Sequence, residues 1–202
     1  MTKQQKEKKA LPETHVITGD VRLAFPSVFK QKPRARGSDK TAFQATILLP
    51  PDTDLTPYHT AMKAALVAKF GKAVKIDPSK NPIRDAGSKE YDGFVEGWNY
   101  ISLNNPFRQP AVVDALGRPV TDETKVYAGM WVRALISAYA WKHQTGGSGV
   151  SFSLEALQLV RDDDRLDGRV DTFNVFEPIA GATDADAGSG LFGDEDDADS
   201  VF

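Results

Sequence analysis

The alternation of apolar and polar side chains predicts short β-strands over much of the chain. The pattern runs through residues 16–25, where Pro26 ends it, and through residues 41–49, where Pro50 does the same. The apolar faces of these two strands consist of Ile17, Val21, Leu23 and Phe25, and of Phe43, Ala45, Ile47 and Leu49. Further strands are predicted at 98–104, 111–114, 118–121, 126–141 and 150–160.

One segment has helical spacing instead. Thr56 is in position to cap its start, Pro57 occupies the first helical position and Gly71 follows the last turn. Its apolar stripe consists of Met62, Ala65, Leu66 and Phe70. Residues 72–97 are rich in glycine, proline and charge, and they predict a long irregular insertion. The sequence therefore indicates a mainly β fold, an OB-fold-like small barrel with one helix and this insertion.

Residues 130–142 divide into two faces. The even-numbered residues from Met130 to Ala140 are small or medium-sized and apolar, which suits a barrel interior. The opposite face carries Trp131, Arg133, Tyr139 and Trp141, and the strand 98–104 directs Trp98 and Tyr100 away from its apolar side in the same way. All three tryptophans are therefore predicted to face away from the core. The alternative is that these rings lie beneath the helix or the insertion and form a second core layer.

Aromatic rings and arginines on an exposed sheet face can stack on unpaired bases, which contributes ~1–3 kcal/mol per base and tolerates any sequence. Lysine and arginine beside them can contact phosphates in a salt-dependent way. The densest basic cluster lies in the predicted loop 30–40, for which an ordinary solvated loop is the alternative explanation. The predicted nucleic-acid-binding residues are Lys30, Lys32, Arg34, Arg36, Lys40, Tyr91, Trp98, Tyr100, Phe107, Arg108, Trp131, Arg133, Tyr139, Trp141 and Lys142.

Charge is distributed unevenly along the chain. The formal net charge is −3, yet no Lys or Arg follows Arg169, and seven acids follow Thr183. Without those seven, 25 basic residues face 21 acidic ones, so the rest of the chain is mildly basic. These shifts predict a disordered basic arm at 1–13, a nucleic-acid-binding domain at 14–178 and a disordered acidic tail at 179–202.

The acidic tail ends in a large apolar residue. A terminal phenylalanine with its α-carboxylate, preceded by acids, can dock in an apolar pocket rimmed by Lys or Arg on another protein. The predicted partner-binding residues are Asp196, Asp197, Asp199 and Phe202. The same anionic segment could compete with nucleic acid for the basic body. A tail without a specific role is the alternative.

Signals for catalysis are weak. There is no cysteine, and the three histidines are not at metal-ligand spacing, so no cofactor or metal is expected. Asp114, Glu123 and Lys125 imitate the carboxylates and lysine of a metal-dependent nuclease, but Gly117 and Pro119 mark the stretch as a turn. The chain shows neither a membrane-spanning apolar run nor a secretory signal, so we expect a cytoplasmic protein.

The chain resembles the single-stranded DNA-binding proteins of tailed bacteriophages over roughly residues 14–175. The resemblance rests on Asn81-Pro-Ile-Arg-Asp85, Tyr91-Asp-Gly-Phe94, residues 98–103, Val126-Tyr-Ala-Gly-Met-Trp-Val-Arg133, Ser137-Ala-Tyr139 and Gly149-Val-Ser-Phe-Ser-Leu154. The tail looks like the acidic, Phe-ended tips of bacterial and phage single-strand-binding proteins, although it ends Asp-Ser-Val-Phe rather than Pro-Phe. The resemblance implies an OB fold, sequence-independent coating of single strands and recruitment of replication or recombination proteins in the cytoplasm of a bacterial host.

Three functions follow from these observations. The first is single-stranded DNA binding that protects and coats DNA in phage replication and recombination, without catalysis. The second is a metal-dependent nuclease, and the third is an adaptor that acts through its acidic tail.

Overall fold

The computed structural model describes residues 10–35, 37–72, 74–144 and 147–168. These ranges contain eight β-strands and one α-helix, which confirms the predicted mainly β class. The strands are β1 (His15–Ile17), β2 (Val21–Pro33), β3 (Thr41–Leu49), β4 (Ile83–Asp85), β5 (Asn99–Asn105), β6 (Ala111–Val113), β7 (Trp131–His143) and β8 (Gly147–Arg161), and the helix is α1 (Thr56–Phe70). No helix in the described ranges is both long and apolar enough to cross a membrane.

Five of the strands close a ring. In the order β2-β3-β5-β8-β7 each strand pairs with the next, and β7 pairs with β2 again. These pairings are antiparallel except that of β5 with β8, which is parallel and joins Leu103 to Phe152. A five-stranded ring of this kind is the predicted OB-like architecture. The short parallel contact keeps the ring from being a regular barrel.

The interior of the ring is apolar and closely packed. The even-numbered residues of β7 from Val132 to Ala138 are buried, as predicted from their alternation. They meet fully buried side chains of the other strands, including Leu23, Ile47, Ile101 and Phe152. Burial of each side chain of this size stabilises the folded state by about 1.5–3 kcal/mol.

Helix α1 begins and ends as its sequence predicts, to within one residue. Gly71 adopts a left-handed φ of 72° and donates its N–H to the carbonyl of Val67, which closes the last turn. Thr56 is the first helical residue rather than the cap, and the carboxylate of Asp54 accepts its amide N–H at 2.9 Å. The helix contacts β7 and packs the ring of Tyr58 edge-on against Phe152, with 6.3 Å between ring centroids.

The predicted first strand is wrong in extent. The structure divides residues 16–25 between β1 and β2, and it continues β2 through Pro26 to Pro33. The register of β2 against β3 shifts between Ala24 and Ser27, and a β-bulge of this kind tolerates a proline because it interrupts the ladder. Residues 30–33 of the predicted basic loop are therefore strand, and the turn is confined to residues 34–40.

Two residues predicted to face the core are exposed instead. In β1 it is Val16 that pairs with Ile136 and is buried, so Ile17 lies on the outer side. In β2 the bulge turns Phe25 outward, with a φ of 48°. Both errors have the same cause. The predicted faces assume an unbroken strand, whereas the chain breaks between β1 and β2 and bulges after Ala24, and local sequence reveals neither irregularity.

The remaining predicted strands differ in their ends, and β8 is longer than the predicted 150–160 at both ends. Residues 118–121 contribute an isolated bridge between Val113 and Pro119 rather than a strand. Residues 126–130 precede β7, and Glu123–Lys125 forms a 3-10 turn before them. The described residues of the predicted insertion 72–97 are largely irregular. Within it, the three residues of β4 pair with β5.

The hydroxyl of Tyr58 provides a test of how α1 packs. It is buried without a hydrogen-bond partner among the described residues, and burial raises the pKa of Tyr58 to about 12. An unpaired buried hydroxyl is destabilising, so Tyr58→Phe should raise the free energy of unfolding by about 1 kcal/mol, as measured by urea denaturation. Tyr58→Leu, which also removes the ring, should lower it. A loss of stability in the Phe variant would contradict the unpaired hydroxyl.

Candidate nucleic-acid interface

Cross-strand pairing arranges the outward side chains of β2, β3 and β5 in rows. We call this surface the outer face. Its successive rows are Lys32 and Ala42; Ser27, Gln44 and Asn104; Ala24, Thr46 and Ser102; and Arg22, Leu48 and Tyr100. Six residues of β3 separate the first row from the last, which is about 20 Å at the usual rise of a strand. The two middle rows carry small or uncharged side chains.

The β2–β3 hairpin brings positive charge to one end of the outer face. The amide of Arg34 donates to the carbonyl of Lys40 at 2.8 Å and closes the turn. The side chains of Lys32, Arg34 and Lys40 are exposed and form no ion pair with any other described residue. Lys30 differs, because its ammonium pairs with Glu123 at 2.8 Å. Arg36 lies outside the described residues.

A turn after β5 presents Phe107 beside this hairpin. The carboxamide oxygen of the buried Asn105 accepts the amide N–H groups of Phe107 and Arg108 at 3.1 and 3.0 Å, while its nitrogen donates to the carbonyl of Leu154. The ring of Phe107 is 95% exposed. The carboxamide of Gln31 in β2 donates to the carbonyl of Pro106 at 3.2 Å, which ties the turn to the hairpin. The turn that carries Phe107 is thus joined to the strand that carries Lys32.

The other end of the outer face is aromatic. Tyr100 is only 5% exposed and packs with Leu48, Ala86 and Phe94 in a second, smaller core cluster. The expectation of an exposed Tyr100 is therefore wrong, and the alternative of a layer beneath residues 72–97 holds for this ring. Tyr91 remains exposed, and its ring contacts Phe94 at 5.5 Å between centroids.

Trp98 and Trp131 meet at the start of β7, with 6.2 Å between ring centroids. The guanidinium of Arg161 lies 4.3 Å from the centroid of Trp131, and the indole N–H donates to the carboxylate of Asp163 at 2.6 Å. Both indoles are half-buried. A base would have to displace Arg161 to stack fully on Trp131 from that side.

The carboxylate of Asp163 is surrounded by hydrogen-bond donors and by two arginines. The indole of Trp131 and the amide of Asp164 hydrogen-bond to it, and the guanidinium groups of Arg22 and Arg161 approach at 3.9 and 3.7 Å. The hydrogen bond from Trp131 is the largest cause that lowers the pKa of Asp163 below its usual range, and the two arginines add to it. This network holds the chain after β8 against the start of β7.

Tyr139, Trp141 and Lys142 lie at the far end of β7, about 30 Å along the strand from Trp131. The indole of Trp141 lies across β8, where a Cβ at Gly149 would collide with it, and its N–H donates to the hydroxyl of Ser151 at 3.0 Å. Tyr139 and Lys142 are exposed. Arg133, between the two groups, forms an ion pair with Asp20 at 2.7 Å.

The residues of the nuclease alternative have other partners. The carboxylate of Asp114 accepts two backbone amides of its own turn and pairs with Arg118 at 2.7 Å, and these contacts lower the pKa of Asp114. Glu123 pairs with Lys30. Within the described ranges, no three His, Asp or Glu side chains are grouped so that they could hold a metal ion. The partner-binding residues predicted in the tail lie outside the described residues.

Three interface features were not predicted. Phe25 was assigned to the core, Gln31 was not singled out, and Arg161 was not placed against Trp131. Each depends on a contact with a residue distant in sequence. The side-chain alternation of β8 could have placed Arg161 on the outer side, but it could not name the partner ring.

The closed five-stranded ring, a basic hairpin and exposed aromatic rings beside an outward sheet face define an OB-like protein, a class that binds oligonucleotides and oligosaccharides through this face and its flanking loops. Comparison of the sequence with known families is more specific. The family model described as "Enterobacter phage Enc34, ssDNA-binding protein" matches residues 14–188, so the chain belongs to this family of phage proteins and the predicted resemblance is confirmed.

Individual relatives agree with this assignment. Protein p50 of Acyrthosiphon pisum secondary endosymbiont phage 1 is 33% identical over 160 residues, which cover 74% of this chain and 84% of p50. The single-stranded DNA-binding protein of bacteriophage Enc34, solved in complex with ssDNA, has a TM-score of 0.65 at 19% identity, covering 81% of this chain and 99% of that one. The single-stranded DNA-binding protein gp2.5 of bacteriophage T7 has a TM-score of 0.51 at 14% identity, covering 77% and 96%. The two structures show a shared fold.

The Asp163 network predicts an acid-sensitive contribution to stability. Because the folded protein lowers the pKa of Asp163, the contribution is complete above the ordinary carboxyl pKa and is lost as pH falls through the lowered value. Asp163→Asn should therefore be less stable than the parent protein at pH 7, and the difference should shrink below about pH 4. Thermal unfolding followed across pH 2–7 measures this. A difference that does not change with pH would contradict the role of the charge.

Proposed function

We propose that this chain binds single-stranded DNA without sequence preference, coating it rather than catalysing a reaction on it. One observation carries the proposal: the outer face runs from the exposed cations of the β2–β3 hairpin to exposed aromatic rings, with small or uncharged side chains between them. The family supports it, because one related fold is that of a phage protein in complex with ssDNA.

The basic hairpin is the proposed phosphate contact. Lys32, Arg34 and Lys40 are not neutralised by described acids, so they can replace the counterions condensed on a DNA strand. Phe107 beside them is the proposed first stacking ring, since it is almost completely exposed and a buried asparagine fixes its turn. Because this turn is held rigidly, little conformational entropy is lost when a base stacks on the ring of Phe107, which favours binding.

The outer face is a better path for the strand than the outer side of β7. Trp131 is engaged by Arg161 and Asp163, and Trp141 lies against Gly149. The end of the β7–β8 hairpin can still contribute, because in OB folds the loop between the last two strands flanks the binding face. Tyr139 and Lys142 lie close to that loop and keep their place in the proposed interface.

The wider role is proposed from the family and from the tail. Coating would protect single strands during phage replication and recombination in the cytoplasm of the bacterial host. The acidic tail, with Asp196, Asp197, Asp199 and Phe202, would recruit partner proteins and compete with DNA for the basic hairpin. No contact of the described residues favours the nuclease alternative.

The salt dependence of binding tests the phosphate contacts. The parent protein should bind labelled oligo-dT, as followed by fluorescence anisotropy, and added salt should weaken binding. Each phosphate contact to a single strand contributes about 0.7 to the slope of log K against log salt, so replacing Lys32, Arg34 and Lys40 by Gln should reduce that slope by about 2. Replacing Lys63, Lys69 and Lys72 by Gln removes equal charge on and just beyond α1 and should leave the slope unchanged.

Two results would contradict the proposal. One is the absence of oligo-dT binding at low salt. The other is an equal change of slope in both triple variants, because only net charge would then matter. Loss of the oligonucleotide on adding Mg²⁺, abolished by Glu123→Ala, would favour the nuclease instead.

The competitor role of the tail predicts the effect of its removal. Deleting residues 194–202 should leave the affinity for oligo-dT equal or higher at low salt, and the difference should disappear as salt screens both anions. Fluorescence anisotropy of labelled oligo-dT at two salt concentrations measures it. Weaker binding by the shortened chain would mean that the tail assists DNA binding rather than opposing it.

A further inference from the structure

We infer that Phe25 and Tyr91 form a second stacking site for a nucleobase, at the end of the outer face opposite the basic hairpin. The inference rests on the proposed binding of single strands and adds a particular pair of rings to it. Neither the basic hairpin nor the Phe107 turn includes these two residues.

The backbone of Phe25 is the first observation. Its φ of 48° makes it the only described residue other than glycine with a positive φ. Bulky side chains rarely adopt this conformation, and a residue is held in it only when its surroundings enforce it. Here the β-bulge that includes Pro26 enforces it and turns the ring outward, where it is 53% exposed. Strain of this kind often accompanies a functional site, which raises the question of what the exposed ring contacts.

The second observation is the support beneath the ring. Phe25 contacts Tyr91 edge-to-face at 5.2 Å between centroids, and both contact Phe94, at 5.9 and 5.5 Å. Phe94 in turn lies 5.4 Å from the buried Tyr100. The buried rings of Phe94 and Tyr100 thus support the rings of Phe25 and Tyr91, which are 53% and 56% exposed. Rings held in this way lose little freedom when another planar group stacks on them.

The position of the pair favours a base as the ligand. Ala24, next to Phe25, shares a row with Thr46 and Ser102, so no large side chain of that row stands between the exposed rings and the hairpin end of the outer face. Beyond Tyr100 the next strand, β4, adds the exposed guanidinium of Arg84, which pairs in register with Tyr100 and can contact a phosphate.

The charges around Tyr91 agree with stacking rather than phosphate binding at the pair itself. Glu90 and Asp92 flank Tyr91 and are exposed, and Lys89 offsets only one of them. A phosphate would be repelled there, whereas an uncharged base would not. The strand would thus meet cations at the hairpin, cross the uncharged middle rows, about 13 Å from the Lys32 row to the Ala24 row, and stack at the aromatic end.

Two substitutions that should leave the protein folded test the site. Phe25→Gly removes the ring and relaxes the backbone, since glycine adopts a positive φ freely, so the melting temperature should change little. Tyr91→Leu keeps an apolar side chain but removes the ring. Each should weaken binding of an oligo-dT of about 20 nucleotides by roughly 5- to 160-fold, the loss of one stacked base. Leu116→Ala, an exposed apolar residue in the turn after β6, is the matched control and should bind as the parent does.

Photo-crosslinking locates the contact directly. Oligo-dT that carries bromodeoxyuridine should crosslink to peptides containing Phe25 or Tyr91, as identified by mass spectrometry, in addition to the peptide containing Phe107. Parent protein that binds DNA while both variants bind within about twofold of it would overturn the second site and leave the proposed function standing. Crosslinks at Phe107 alone would overturn it too.

The remaining outcomes are also decisive. If the parent protein does not bind oligo-dT, the proposed function itself fails, and the site fails with it. If the variants keep their DNA affinity but change the sedimentation of the protein, the exposed rings contact a second copy of the chain and the inference is wrong.

Discussion

Closure of the strand ring through β7 is the constraint on which the rest of the structure depends. This strand pairs with β8 from Trp131 to His143 and with β2 at its first two residues. Because side chains alternate along a strand, this pairing decides which half of β7 is buried and which is outside. On the opposite wall of the ring, β5 and β8 pair only at Leu103 and Phe152, and the side chain of Asn105 adds a hydrogen bond to the carbonyl of Leu154.

The outer face follows from that closure and from one irregularity. The outward rows of β2, β3 and β5 differ in exposure: Lys32 and Ser102 are exposed, whereas the small side chains of Ala24, Ser27 and Thr46 are buried among their neighbours. Ala86 and Phe94 of the insertion cover Tyr100, and Ala24, the neighbour of Phe25, belongs to the same buried cluster. The interface is therefore a strip with cations at one end and aromatic rings at the other. The middle rows need no side chains that read base edges, because stacking and phosphate contact do not depend on base identity.

Sequence periodicity was sufficient where local signals were unbroken. It predicted β3, the helix and the buried half of β7, because each has a regular pattern bounded by proline or glycine. It failed in β2, since a proline inside a bulge has the same local signature as one that ends a strand. It also failed to foresee the burial of Tyr100 and the contact between Arg161 and Trp131, because both are produced by chain segments far away in sequence.

The path of the strand along the outer face is the central claim, and backbone amide chemical shifts measured by NMR during addition of oligo-dT test it most directly. If the strand follows the outer face, the largest changes should occur in the β2–β3 hairpin, at Thr46, Ser102 and Phe107, and around Phe25, with little change in α1. Changes confined to α1 or to the outer side of β7 and β8 would contradict it.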